Sequence, residues 1–205
     1  MKRLLVICAV AILGIGICSA QDSKWGIRAG LNVSNAKEKM DGYSYKYDNT
    51  VGFHIGVVRD CEVSADKFYI QPGLFFTSKA ARENIDGDKL TMRINYLQIP
   101  ILASYRIGIG VDSKVHINAG PYIAVAPFGK VKMDGESFNI FDDEYEMGLK
   151  RFDAGLIVGA GVEFSQVYVG LQYEFGLANI ADEDIYGSGF KMKTKNLAIS
   201  LGYNF

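Results

Sequence analysis

The chain has 205 residues, 49% of them hydrophobic, and a formal net charge of -1. That balance argues against a nucleic-acid binder, which needs surplus Lys and Arg against phosphate, and the apolar content argues against disorder. Glycine, at 23 of 205 residues, exceeds the usual ~7% and accompanies 12 Tyr, 12 Phe and 4 Pro, a composition for strands and close backbone approach rather than helices.

Residues 1–20 read as a cleaved signal peptide. Lys2 and Arg3 open it, Leu4 to Ile17 is apolar, and Cys18, Ser19 and Ala20 precede a cut ahead of Gln21. A membrane anchor would need a longer run, and a lipoprotein reading at Cys18 would need a small residue where Ile17 stands. Cleavage removes Cys8 and Cys18 and leaves Cys61 alone, so the mature fold is expected to stand without an intrachain disulfide. Residues 21–205 then form one domain.

Period two runs through the rest of the chain. Ile27, Ala29, Leu31 and Val33 alternate with Arg28, Gly30 and Asn32, and Val51, Phe53, Ile55 and Val57 with Gly52, His54 and Gly56. Phe68, Ile70, Leu74 and Phe76 oppose Tyr69, Gln71, Gly73 and Thr77. In the fourth segment Met92, Ile94 and Tyr96 take one phase while Ile99, Ile101, Ala103 and Tyr105 take the other, which predicts a bulge near Leu97 and Gln98. Val115 to Val125, Ala154 to Phe164, Val167 to Phe175 and Leu197 to Phe205 complete eight alternating segments. Short connections are expected at 60–66, 108–113 and Ser165-Gln166, and long loops at 35–50, 79–89, 129–151 and 178–192. Short turns at one end and long loops at the other are the pattern of a transmembrane barrel with its turns in the periplasm.

The two faces decide which side is inside. One carries glycines, Asn, Gln, Ser and isolated charges, poor in the Lys and Glu of a watered surface but suited to a narrow lumen. The other is nearly free of charge at each strand centre, as lipid requires. Trp25, Phe68, Tyr173 and Phe175 are placed to form aromatic girdles. The expected fold is all-β, an eight-stranded antiparallel up-and-down transmembrane β-barrel in the cell outer membrane. A soluble lipocalin-like barrel, with the apolar face turned inward around a ligand, is the alternative.

The stretches Tyr96–Leu102, Asn118–Tyr122, Gly155–Gly161 and Leu201–Phe205 resemble the family of small outer-membrane β-barrel proteins of Gram-negative bacteria, called porin-like or OmpX/OmpA-like. The resemblance covers nearly all of 21–205. It implies that Leu201, Tyr203 and Phe205 form the C-terminal signal read by the barrel-assembly machinery, with periplasmic chaperones as partners on the way and outer-membrane lipid as the final surround. It carries over no active site.

Arg28, Gln71, Tyr122, Glu163, Gln172 and Glu174 form the expected polar network of the lumen. Arg28 is expected to pair with Glu163 or Glu174, because an unpaired charge there is expensive. The network reads as a plug that closes the barrel and sets its register, with a gate over a narrow ion path as the other reading. His54 and His116 are expected near opposite ends, with no Ser-His-acid set in view. The acids Asp142, Asp143, Glu144 and Glu146, like Asp182 to Asp184, read as solvated loop charge, since their spacing matches no calcium loop. No metal set and no cofactor are expected. Four roles stay open: a structural or surface-interaction barrel, a small porin, a lipid-modifying enzyme that would need His54 or His116 beside Ser and a carboxylate, and the lipocalin-like binder. The extracellular partner is unassigned.

Overall fold

The fold comes from a computed structural model that describes residues 23–40, 43–64, 67–85, 88–133, 136–141, 148–187 and 189–205. The expected leader and the acids Asp142 to Glu146 lie outside the described residues. The strands are β1 (Lys24–Met40), β2 (Tyr43–Lys46), β3 (Asp48–Ser64), β4 (Phe68–Ile85), β5 (Asp88–Gly108), β6 (Ser113–Met133), β7 (Glu136–Asn139), β8 (Phe152–Phe164), β9 (Val167–Gly176) and β10 (Lys191–Asn204). One helical turn, α1 (Glu183–Tyr186), interrupts the last connection, capped by Asp182.

Eight of these strands form the predicted barrel in the order β10-β9-β8-β6-β5-β4-β3-β1, all antiparallel, and β10 pairs with β1 to close it. Closure removes the free strand edges that lipid could not hydrogen-bond. The short strands β2 and β7 only prolong the wall beside β1 and β6. The start of β1 and the end of β10 meet at one end, where Trp25 and Phe205 exchange backbone hydrogen bonds of 3.3 and 2.9 Å. The tight turns lie at that end too, including Ser165-Gln166, where Ser165 adopts φ 55°.

At the opposite, loop end the strands run well past the lengths read from the sequence. Most of the loop expected at 79–89 is the tip of the β4–β5 hairpin, and much of 35–50 is β1, β2 and β3. The reason is a reversal of polarity along each strand. On β10 the outward positions read Lys191, Lys193, Lys195 and then Leu197, Ile199, Leu201, Tyr203, while inside them Met192 gives way to Thr194, Asn196 and Ser200. On β6 the outward Val115, Ile117, Ile123 and Phe128 yield to Lys130 and Lys132, and the inner face turns from His116 and Asn118 to Ala124, Ala126 and Val131. An apolar face aimed outward marks lipid, and an apolar face aimed inward marks water outside.

The same reversal corrects the expected bulge. The β4–β5 register is unbroken from Phe68↔Tyr105 to Ile85↔Asp88, so β5 never changes phase, and Met92, Ile94 and Tyr96 face inward. The register shift sits between β5 and β6, where Tyr96 alone faces Ala126 and Pro127, so the extra residue belongs to β6. Proline, with no N–H to lose, suits such a bulge. Beyond it Ala36, Tyr47, Ala81, Ile94, Val131, Ile140, Ile180 and Met192 pack into a hydrophobic core inside the loop-end head.

Cys61 is buried and disulfide-bonded. Cys8 and Cys18 both precede the expected cut. The expectation of a fold without a disulfide therefore applies only to a chain from which they have been removed.

Candidate functional site

The lumen holds the buried polar groups, in three layers. Nearest the termini, Arg106 of β5 meets Asp60 of β3 at 2.6 Å, and Gln71 of β4 donates to the same carboxylate at 2.6 Å. Beside them Arg28 of β1 donates to Asn204 Oδ1 at 2.7 Å, and Asn204 Nδ2 donates to Glu163 at 2.6 Å. The expected direct pairing of Arg28 with a glutamate is thus replaced by a relay through Asn204, while the guanidinium lies 4.2 Å from the Tyr168 ring centre. His116 Nε2 stands 3.2 Å from Glu163. Gly202 makes room for Arg28, since a Cβ there would strike its Cδ, and a Cβ at Gly161 would lie 2.5 Å from the Tyr168 hydroxyl.

The middle layer centres on Asn32. Its Nδ2 donates to Thr77 Oγ1 at 2.8 Å, Phe53 O at 3.0 Å and Ser78 O at 3.1 Å. With the amide nitrogen so committed, Oδ1 is the acceptor for His54 Nδ1 at 2.9 Å, and His54 Nε2 lies 2.9 Å from Ser200 Oγ. The network assigns the proton to Nδ1, leaving Nε2 to accept from the serine. Gly30 permits this contact: it pairs with His54 on one side and Ser200 on the other, and a Cβ there would lie 2.8 Å from His54 Cε1. His54 thus stands beside a serine, but the third member is the Asn32 amide rather than a carboxylate, so no Ser-His-acid set is formed here.

Toward the loop end Lys79 of β4 meets Glu174 of β9 at 2.8 Å and Asp153 of β8 at 3.6 Å. Gln98 donates to Glu174 at 3.1 Å, while Tyr122 and Thr194 donate to Asp153 at 3.2 and 2.8 Å. Lys79 also lies 4.6 Å from the Tyr122 ring centre. One cation faces two carboxylates here, all buried. Such a group is costly to break, because removal of either sign strands the other without water.

Arg28, Gln71, Tyr122, Glu163 and Glu174 are buried in these layers, and Gln172 lines the gap between them. That gap, bounded also by His54, Phe75, Gln98 and Ser200, measures about 30 Å³, room for about one or two waters. Trp25, Phe68, Tyr173 and Phe175 project outward, with Tyr173 and Phe175 4.5 Å apart between ring centres at the loop-end margin. Phe53, Phe76 and Phe128 join that margin as neighbours 5.9 Å apart. Leu201, Tyr203 and Phe205 also point outward, all exposed.

Sequence reading missed Lys79, Asp153, Asp60, Arg106 and the His54–Ser200 contact. The first four fall at segment ends or in stretches taken for loops. The last was within reach, because a glycine between two facing polar residues marks where a side chain crosses a strand. Among the described residues no group of three or more His, Cys, Asp or Glu is placed to hold a metal ion.

The chain is similar to the attachment invasion locus protein Ail of Yersinia pestis, at 16% identity over 90% of this chain and 100% of that one, with a TM-score of 0.43. It is also similar to Neisserial surface protein A, at 13% identity over 90% and 100% of the two chains and a TM-score of 0.49. A third likeness is to the outer-membrane enzyme PagL, at 14% identity over 85% and 98%, with a TM-score of 0.44. No curated protein matches the chain. The family model for the outer membrane protein beta-barrel domain matches residues 19–182. With that match on a closed barrel of eight strands, girdled by apolar side chains, the chain belongs to the outer membrane protein β-barrel domain family and resides in the outer membrane.

Proposed function

We propose that this is a closed outer-membrane barrel with a structural or surface-interaction role, its termini in the periplasm and its packed head outside the cell. One observation carries the reading: charge-paired layers cross the lumen and leave a gap of about 30 Å³. Eight-stranded barrels are just wide enough for side chains to fill, and here ion pairs at both ends of the lumen complete the filling. Leu201, Tyr203 and Phe205 face outward at the chain end, available to the assembly machinery.

The test is fractionation, then electrophoresis of boiled and unboiled samples, then recording in planar bilayers. The expected result is an outer-membrane band that shifts on boiling and carries no sustained single-channel current. A stable, salt-dependent conductance would replace this reading with the small porin.

The His54–Ser200 pair favours a lipid-modifying enzyme as the second reading, since a base within 2.9 Å of a hydroxyl is the arrangement for nucleophilic attack. Both residues are buried in a gap too small for an acyl chain. The pair therefore acts as a strand-to-strand tie, and Ser200→Ala is expected to leave the fatty-acid content of co-incubated outer-membrane lipid unchanged. Release of fatty acid by the wild type, lost in Ser200→Ala, would reverse the assignment.

A further inference from the structure

The loop-end head holds another cavity, of about 160 Å³, whose chemistry differs from that of the polar gap in the lumen. Its wall is built from direct cross-strand partners. Met192 of β10 faces Glu38 of β1, and Met92 of β5 faces Val131 of β6. Tyr47 adds a ring, tied to β1 by a 3.1 Å bond from its N–H to Ala36 O. Tyr186 and Phe190 add a stacked pair with ring centres 4.7 Å apart. Tyr186 is also exposed, so the cavity reaches solvent beside it.

The rings are held in place by their own loop. A Cβ at Gly148 would lie 2.5 Å from the Tyr186 ring, and the φ of 58° there suits glycine. Asn179 Nδ2 donates to Phe190 O at 3.0 Å, while its Oδ1 accepts from the Met192 N–H at 2.9 Å. A pocket preformed in this way loses little order when it fills.

Glu38 narrows the class of occupant, as the one charged side chain of the wall among the described residues. It accepts from the Tyr47 hydroxyl and, among the described residues, is in no ion pair. A neutral apolar molecule would strip water from that carboxylate and return nothing. A bare divalent ion would want about six oxygen ligands, and apolar side chains make up most of this wall. A cation coated in alkyl groups meets both demands: its charge faces the carboxylate and the rings, and its methyl groups pack on Met92, Met192 and Val131. The size agrees, since a cavity of roughly 150 Å³ takes a molecule of benzene's size. Glu183 and Asp184, in the same helical turn as Tyr186, add negative charge nearby.

We infer that the head binds a compact alkylammonium ion, with Glu38 as its counter-charge and Tyr47, Tyr186 and Phe190 as its aromatic walls. The site deepens the surface-interaction role proposed above, and its place outside the cell rests on that reading. Met192 stands about 16 Å along β10 from Leu197, so the ligand is a free solute rather than the headgroup of an embedded lipid.

The test uses the full barrel in dodecyl maltoside micelles, titrated with choline or with its uncharged analogue in which carbon replaces the nitrogen, and read by ligand-observed NMR. Wild type should bind choline about tenfold more tightly than the analogue, and Glu38→Gln should abolish that preference. Phe190→Leu should weaken choline about threefold and leave the analogue unchanged. Equal binding of the two probes to wild type, or undiminished choline binding by Glu38→Gln, overturns the inference in favour of a plain apolar pocket. Displacement of choline by an equal concentration of sodium overturns it in favour of a simple cation site. The comparison of probes on wild type stands even where a variant fails to fold, which the boiling-dependent gel shift of each sample reports. Labelling of Ile185→Cys, in a Cys61→Ser background, with an impermeant maleimide on intact cells separates the two failures. Labelling without a choline preference sinks the pocket alone, whereas a choline preference without labelling sinks the outward orientation and the surface role with it.

Discussion

The membrane-embedded part of the barrel and its loop-end head are made from the same strands under opposite rules. Around the lumen, Arg28, Arg106, Lys79 and their partners are buried while Leu31, Ile199 and Leu201 are exposed. In the head, Ile94, Val131 and Met192 are buried while Lys130, Lys132 and Lys191 are exposed. Backbone pairing continues across the boundary, as Lys195↔Phe175 and Leu197↔Tyr173 lie in one unbroken register. Strand geometry thus sets only the alternation. The medium touching the outer wall decides which residues occupy each phase.

The contrast is broken most severely at Lys79. Replacement by Met leaves Asp153 and Glu174 buried without their cation and should destabilise the barrel by about 3–5 kcal/mol, read as a lower urea midpoint for unfolding in micelles. Removal of all three charges together, in Lys79→Met/Asp153→Asn/Glu174→Gln, should recover most of that loss. If Lys79→Met alone were neutral, the loop-end charge layer would have no part in closing the barrel.

A lysine placed at Ile199 tests the belt. Ile199→Lys should cost about 2–4 kcal/mol in a bilayer, although lysine is native three outward steps away at Lys193. The reverse change, Lys193→Ile, should stay within about 0.5 kcal/mol, as surface substitutions do. Equal effects at the two positions would move the membrane boundary. Gly30→Ala should cost about 1–3 kcal/mol by overpacking and should shift the His54 ring resonances in NMR spectra as the ring leaves Ser200. Ser200→Ala, removing one hydrogen bond, should cost only about 1 kcal/mol.

Much of this was legible in the sequence where the outer wall meets lipid. Leu197 to Phe205 and Trp25 to Val33 each span the ~9 residues that a tilted strand needs, and their alternation identified the barrel. The signal failed where the outer medium changed. Met92, Ile94 and Tyr96 seemed to slip phase on β5, yet the strand is regular and the polarity of the inside is what reverses. Lys79 reads as a loop residue in the sequence for the same reason, since the positions beside it, Ser78 and Ala80, do not look like lipid-facing positions. Arg28 was identified as a lumen charge, but its partner Asn204 lies 176 positions away and is brought near only by closure of β10 onto β1.

On this reading of the two faces, the boundary between lipid and water crosses β10 between Lys195 and Leu197. Spin labels at each outward position from 191 to 203, in a Cys61→Ser background in bilayers, test it through the ratio of oxygen to nickel-chelate accessibility. A single crossing is expected, with nickel favoured at 191, 193 and 195 and oxygen favoured at 197, 199 and 201. Nickel accessibility along the whole face, or a crossing displaced to 191, would contradict it.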